Sequence, residues 1–143
     1  MLKEDTLSNY KKAYQIEWAN TLPENCPPEH ILIPEEEEFY RLILNKDHIV
    51  EEDWKTYSEL FPDKKYPPQL MSLASGLSLT KNGDFKELKK LPIAKRHKGI
   101  AKIKLNPTDG VLQKTGNDNN HYTWWRTTSF DPDTAEIIQD EKA

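Results

Sequence analysis

Cysteine and long apolar runs are scarce in this chain of 143 residues. Its single cysteine, Cys26, has no second cysteine with which to form an intramolecular disulfide, which is typical of proteins in a reducing compartment. The chain starts with polar and acidic residues rather than the apolar core of a secretory signal, and no run approaches the ~20 apolar residues of a membrane-spanning helix. These absences predict a soluble cytoplasmic protein that does not enter a membrane.

The motifs that mark nucleotide and metal sites are missing as well. The chain has five glycines that do not cluster, and it contains neither G-x-x-x-x-G-K-[ST] nor G-x-G-x-x-G. The four histidines form no H-E-x-x-H motif and no pair on one helical face, and Cys26 has no companion at the spacing of metal ligands. The sequence therefore predicts no bound metal and no resident cofactor.

Charged residues make up 31% of the chain, and their signs are unevenly distributed. Residues 1–80 carry 8 basic and 15 acidic residues, a net charge of −7, whereas residues 81–126 carry 11 and 4, a net charge of +7. Two explanations remain open. Elements of opposite charge can pack together, or a basic face can meet an anionic partner. The acidic remainder argues against general nucleic-acid binding, which depends on accumulated phosphate contacts and stays a weakly supported alternative.

The N-terminal residues 1–28 are predicted to form a helix and a proline-rich connection that could dock on the core or on a partner. Over residues 5–20 the large apolar side chains follow helical spacing: Leu7, Tyr10, Tyr14 and Trp18. Three prolines then interrupt the chain within residues 21–28. The sequence indicates an α+β core over residues 29–135 and a tail over residues 136–143.

Residues 36–44 leave two interpretations open. Pro34 followed by four glutamates is a typical helix start, but the run from Phe39 to Leu44 is aromatic and aliphatic in the manner of a buried strand. The strand is the favoured interpretation. In a central strand Arg41 would need an anionic partner, because a buried charge is costly unless it is paired.

Most of the remaining helices are predicted before the last strands. Helical patterns cover residues 50–61, 69–75 and 84–90, and strands are predicted at residues 77–80 and 135–139. In the stretch that begins at His97, residues 101–105 alternate and a turn follows at 106–110, which predicts a β-hairpin, and His121 to Arg126 continues as a strand. This order predicts a single α+β domain, with helices mainly in the N-terminal half packed on a mostly antiparallel sheet formed largely by the C-terminal half.

The predicted strand from His121 to Arg126 carries much of the aromatic chemistry of the chain. Alternation places His121, Thr123 and Trp125 on one face of it and the other three residues on the opposite face. Together with the nearby basic run, it predicts a ligand-binding surface made of Lys95, Arg96, Lys98, Tyr122, Trp124, Trp125 and Arg126. The less specific alternatives are that the tryptophans fill the core and that the basic run is a solvated connection.

One order of residues resembles that of small ADP-ribosyltransferase-like domains. Tyr40-Arg41, then Gly76 to Thr80, then His121 is similar to the early Arg or His, the Ser/Thr-rich strand and the later polar residue of those enzymes. The acidic residue that those enzymes often use has no clear counterpart near His121. The resemblance implies an enzyme that uses NAD, with Arg41, Ser78 and His121 in one cleft.

Three hypotheses about function follow. The first is a binding module of the immunity, inhibitor or adaptor type, which uses the basic and aromatic surface to bind an anionic ligand or an acidic protein partner. The second is a small ADP-ribosyltransferase-like or nuclease-like enzyme that uses Arg41, Ser78 and His121. The third is a structural subunit that forms a homo-oligomer through the N-terminal helix, with the face of Tyr10, Tyr14 and Trp18 exposed in an isolated chain.

Overall fold

A computed structural model describes residues 2–81, 97–116 and 120–138, apart from the side chains of residues 68 and 69. In these residues the chain forms helices on one antiparallel sheet, which confirms the predicted α+β class. The helices are α1 (Leu7–Ala13), α2 (Tyr57–Leu60) and α3 (Pro68–Ala74). The strands are β1 (Lys3–Thr6), β2 (His30–Ile33), β3 (Glu37–Ile43), β4 (Leu77–Thr80), β5 (Gly99–Leu105), β6 (Gly110–Lys114), β7 (His121–Arg126) and β8 (Glu136–Ile138).

The strands lie in the order β1-β2-β6-β7-β4-β3-β5-β8, and neighbours are antiparallel. Alternation along the strands gives the sheet two buried faces. On the Trp124 face, Trp124 packs with residues that include Phe39, Leu79 and Ile103. On the Trp125 face, Trp125 packs with residues that include Tyr10 of α1. The prediction that the two tryptophans point to opposite sides of the strand is confirmed.

The predicted hairpin around the turn at 106–110 is wrong, because β5 and β6 are not neighbours. β5 pairs with β3 and β8, whereas β6 pairs with β2 and β7. A short 3-10 turn, Pro107–Asp109, separates the two strands. The Asp109 carboxylate accepts the backbone N–H of Asn106 at 2.7 Å, and the Asp109 carbonyl accepts the Trp124 indole N–H at 3.1 Å. These bonds tie the turn to β7, so the chain crosses the sheet; the hairpin that forms is β6–β7.

The predicted helix over residues 5–20 is also wrong in its extent. The chain starts as strand β1, Thr6 caps α1 by accepting the Asn9 N–H, and α1 ends at Ala13. The following residues are extended beside the end of β7: Ala19 donates to the Arg126 carbonyl at 3.0 Å, and Glu17 accepts from Thr128 at 2.8 Å. Pairing of the backbone with distant residues therefore outweighs the helical spacing of the aromatic side chains.

The structure decides the interpretation of residues 36–44, since β3 is a strand as favoured. The strand at 77–80 and the helix near 69–75 are confirmed, whereas the predicted helix over residues 50–61 is wrong. A 3-10 turn, Glu51–Trp54, and the separate helix α2 take its place, because Thr56 caps α2 and starts a new helix. The predicted helix at 84–90 lies outside the described residues.

None of the helices that the structure describes is both long and apolar enough to cross a lipid bilayer.

Candidate anion-binding site

Arg41 lies on the Trp124 face of β3, two residues after Phe39. Its Nε donates to the Asp53 carbonyl and its Nη1 donates to the Ser78 carbonyl, both at 2.9 Å. The register of β3 and β4 pairs Tyr40 with Thr80, so the guanidinium bridges the strands just beyond that pair. Burial lowers the pKa of Arg41 to about 10, and the group still stays charged at neutral pH. Arg41 thus joins β3, β4 and the turn that contains Asp53.

The segment over Arg41 is fixed by its own polar side chains. The buried Asp53 carboxylate accepts the backbone N–H groups of Leu44 and Val50, each at 2.9 Å. Thr56 and Glu59 form a capping box, with the Glu59 carboxylate 3.0 Å from the Thr56 N–H. Residues 51–60, the 51–60 segment, therefore cover part of the Trp124 face with a 3-10 turn and the short helix α2.

Arg126 reaches the same face from β7, two residues after Trp124. The central carbon of its guanidinium, Cζ, lies 5.9 Å from the centre of the Trp54 ring, within the range of a cation–π contact. No hydrogen bond joins this guanidinium to another residue in the described parts of the chain, and its Nε is buried without a partner. Among the guanidinium nitrogens Nε is buried, and the two terminal nitrogens are not fully buried.

Each of the two arginines on this face has a carboxylate near it, Asp53 beside Arg41 and Glu59 beside Arg126. Burial lowers the pKa of Arg126, and the negative charge of Glu59 offsets part of that shift. Arg126 in turn is one of the charges that lower the pKa of Arg41. The nearby Glu59 carboxylate is already engaged, since it also accepts the Asn20 amide at 2.7 Å. An oxyanion at the open edge of Arg126 would pair with a guanidinium that has no hydrogen-bond partner in the described residues.

The residues of the enzyme hypothesis are brought together only in part. Arg41 contacts Ser78 through the Ser78 carbonyl, which accepts the Arg41 Nη1 at 2.9 Å. His121 of β7 pairs with Thr80 of β4, two positions along the strands from the Ser78–Thr123 pair. Alternation places the side chains of Ser78 and His121 on the Trp125 face, opposite to that of Arg41.

The imidazole of His121 belongs to a small network of hydroxyl groups. Its Nδ1 lies 3.0 Å from the Thr115 hydroxyl, which lies 2.8 Å from the hydroxyl of the buried Thr123. These contacts fix the ring at the loop end of the β6–β7 hairpin. They are contacts of a satisfied strand-end histidine, and they do not bring the imidazole to Arg41.

The structure separates the members of the predicted basic and aromatic surface. Lys95 and Arg96 lie outside the described residues, and Lys98 is exposed before β5. Tyr122, Trp124 and Trp125 are buried, with exposed fractions of 9%, 0% and 1%. Among the members that the structure describes, Arg126 is partly buried and has a buried side-chain donor without a hydrogen-bond partner.

Several residues around Arg126 were not predicted from the sequence. Trp54, Asn20 and Glu59 build its surroundings, and they come from segments far apart in the chain. One local signal was present: Thr56 followed three residues later by Glu59 is the pattern of a capping box, which marks a helix start there.

The predicted oligomerisation face is partly covered by the chain itself. Tyr10 is fully buried, and its hydroxyl donates to the Pro107 carbonyl at 2.7 Å. Tyr14 and Trp18 are half-buried and line a groove of about 600 Å³ beside Thr128.

Metal ligands and known relatives give no further guide to the site. Among residues 2–81, 97–116 and 120–138, no three His, Cys, Asp or Glu side chains are placed to hold a metal ion. In comparisons with known proteins, the chain matches no family model, no curated protein sequence and no solved structure.

Proposed function

We propose that this protein is a binding module that takes an anionic group, a carboxylate or phosphate of a ligand or of an acidic partner protein, at Arg126. The observation that carries the proposal is the guanidinium of Arg126, which is held beside Trp54 at 5.9 Å and has no hydrogen-bond partner in the described residues. Lys98, and the predicted Lys95 and Arg96, would contribute at longer range.

Three physical features support an oxyanion at this position. A guanidinium presents paired donors that match the two oxygens of a carboxylate or phosphate. The Trp54 ring holds the group in place, so less rotamer entropy is lost on binding. Arg41 adds a second positive charge to the same face, and the lower polarity of a partly buried site strengthens the attraction.

The proposal is tested by titrating the protein with inorganic phosphate, acetate and a short polyglutamate peptide, with calorimetry as the readout. Arg126→Met keeps an unbranched apolar stem and removes the charge, and it should weaken binding by about tenfold or more. Lys104→Met makes the same change of charge at an exposed position on the opposite face of the sheet, and it should change the affinity by less than about twofold.

Two results would count against this function. The first is an Arg126→Met variant that binds every anion as the wild type does. The second is an affinity that does not fall as salt is added, because a partly exposed charge contact must be screened.

The second candidate function is the ADP-ribosyltransferase-like enzyme, which would use NAD. The contact of Arg41 with the Ser78 carbonyl at 2.9 Å favours it, because it brings two of the three predicted residues together. It predicts release of nicotinamide from NAD, with loss of that activity in Ser78→Ala and in His121→Ala. Activity that is absent in the wild type, or unchanged in both variants, would leave the binding module as the remaining candidate.

A further inference from the structure

Strand β8 is an edge of the described sheet that is poorly protected against another strand. It pairs with β5 through Ile100–Ile138, Ala101–Ile137 and Lys102–Glu136, and it is the last strand in the sheet order. The opposite edge, β1, has charged side chains at three of its four positions, whereas β8 has one charge and two isoleucines. Charged side chains are a common protection of sheet edges, and β8 has less of it.

An apolar groove lies beside this edge, on the Trp124 face. It has a volume of about 400 Å³ and lies between the Glu51–Trp54 turn, the Pro132–Thr134 turn and β8. Ile49, Trp54 and Ile137 form its apolar wall. Because Ile137 pairs with Ala101, whose side chain is buried on the same face, alternate residues of a strand added next to β8 would point into the groove.

The rim of this groove is acidic. Glu51 and Asp133 line it and are exposed, and Glu136 is exposed on the other face of β8. Lys102, on the other face of this edge, is already engaged, with its Nζ 3.2 Å from Glu38 and 3.6 Å from Glu136. A segment with basic residues around an apolar one would therefore complement both the rim and the wall.

We propose that β8 is a docking site for an extended segment of a partner protein, which adds to the sheet as a further strand. Main-chain hydrogen bonds to β8 would provide affinity, and an apolar side chain in the groove, flanked by lysine or arginine, would provide specificity. Trp54 borders both this surface and the site at Arg126, but the groove takes a ligand of opposite charge. A second copy of this chain is a poorer occupant, because two acidic rims would repel each other.

The test uses a synthetic seven-residue peptide in which lysine alternates with leucine or valine, labelled for fluorescence polarisation. Amide chemical shifts of the ¹⁵N-labelled protein report where it binds, and they should change in β8, β5 and around Trp54. A peptide with alternate backbone nitrogens methylated keeps its charges and side chains but cannot donate the strand hydrogen bonds. It should lose about tenfold or more in affinity.

Charge variants test the recognition of the basic residues. Glu136→Lys and Asp133→Lys should each weaken binding by about fivefold. Glu4→Lys is the matched control, since it reverses an exposed glutamate on the opposite edge strand and should have no effect. Thermal unfolding of each variant separates loss of the site from loss of the fold.

Three results would overturn the docking site. One is equal binding by the methylated peptide, and another is an equal effect of Glu4→Lys and Glu136→Lys. The third is a set of shift changes confined to residues outside β8 and the groove. Self-association of the protein that increases with concentration and disappears in Glu136→Lys would assign the edge to a second copy instead, and it would equally contradict the proposal.

Discussion

Arg41 and Arg126 lie on the same face of the sheet, but their guanidinium groups differ in what they contact. Arg41 donates to two backbone carbonyls, of Asp53 and Ser78, and so closes the region beyond the Tyr40–Thr80 pair. The guanidinium of Arg126 has no hydrogen-bond partner in the described residues, and its terminal nitrogens are not fully buried. We therefore assign Arg41 to the stability of the fold and Arg126 to ligand binding.

The same substitution at the two arginines should separate these roles. Arg41→Met should lower the free energy of unfolding by about 2–4 kcal/mol, since it leaves two buried carbonyls unpaired. Arg126→Met should change it by less than about 1 kcal/mol, because the buried and unpaired Nε is lost with the charge. Urea denaturation monitored by tryptophan fluorescence measures both. Equal losses in the two variants would contradict the assignment.

Asp109 provides a test of stability against pH. Burial raises the pKa of this carboxyl above its ordinary value of 3.8, and the hydrogen bond from Asn106 only partly opposes the shift. The folded state thus binds the proton more tightly than the unfolded state does. The stabilisation from this group is complete below the unfolded pKa and is lost as the pH rises through the raised folded pKa.

Asp109→Asn should remove this dependence, because an amide oxygen can still accept the Asn106 N–H. The variant should gain stability relative to the wild type as the pH rises from about 4 to about 7. Urea denaturation of both proteins across this range gives the difference. A difference that stays constant or decreases with pH would show that the carboxyl is not shifted in this direction.

At the scale of the elements, the pattern within a segment predicted whether it forms a strand, but it did not predict which strands pair with each other. Alternation in residues 121–126 and the apolar run around Phe39 predicted the strands β7 and β3. Alternation could not show that β5 pairs with β3 rather than with β6, because both arrangements bury the same faces. The turn at Pro107–Asp109 decides between them through its bonds to β7, which no local pattern reveals.

The candidate site was predictable only to the extent that its parts are local. Arg41 was recognised as a buried charge in need of a partner, but its partners are carbonyl oxygens of Asp53 and Ser78 rather than a carboxylate. Trp54 and Arg126 are far apart in sequence and meet only because residues 51–60 fold over the sheet. Conversely, Trp124 and Trp125 were assigned to a binding surface, and the structure buries both.

Two glycines at either end of β6, Gly110 and Gly116, differ in their surroundings, so substitutions at them test how the chain packs there. Gly110 has a φ of 130°, and an added Cβ would overlap the Trp125 carbonyl oxygen. Gly116 has a φ of 76°, but an added Cβ would meet only the His121 ring, 3.5 Å from its Nδ1. Gly110→Ala should therefore cost about 3 kcal/mol or more and Gly116→Ala about 1 kcal/mol. Urea midpoints in the reverse order would contradict the packing of this turn against β7.

At the scale of the whole molecule, the uneven charge of the sequence follows the two proposed surfaces only in part. The groove beside β8 has an acidic rim of Glu51 and Asp133, whereas the site at Arg126 presents a guanidinium without a hydrogen-bond partner in the described residues. Oppositely charged surfaces on one small domain suit an adaptor that holds two different partners. The net charge of −4 would disfavour non-specific binding to polyanions, so anion binding would depend on the local arrangement at Arg126.

The central claim, an oxyanion held by Arg126, is tested most directly by the NMR signal of its Nε–H group. This N–H is buried, so its exchange with water should be slow enough for a distinct signal, which Arg126→Met would assign by its disappearance. This signal should shift and saturate as phosphate or a polyglutamate peptide is added, and the affinity from this titration should equal the one from calorimetry. A signal that stays unchanged while the ligand binds would place the anion elsewhere and contradict the account.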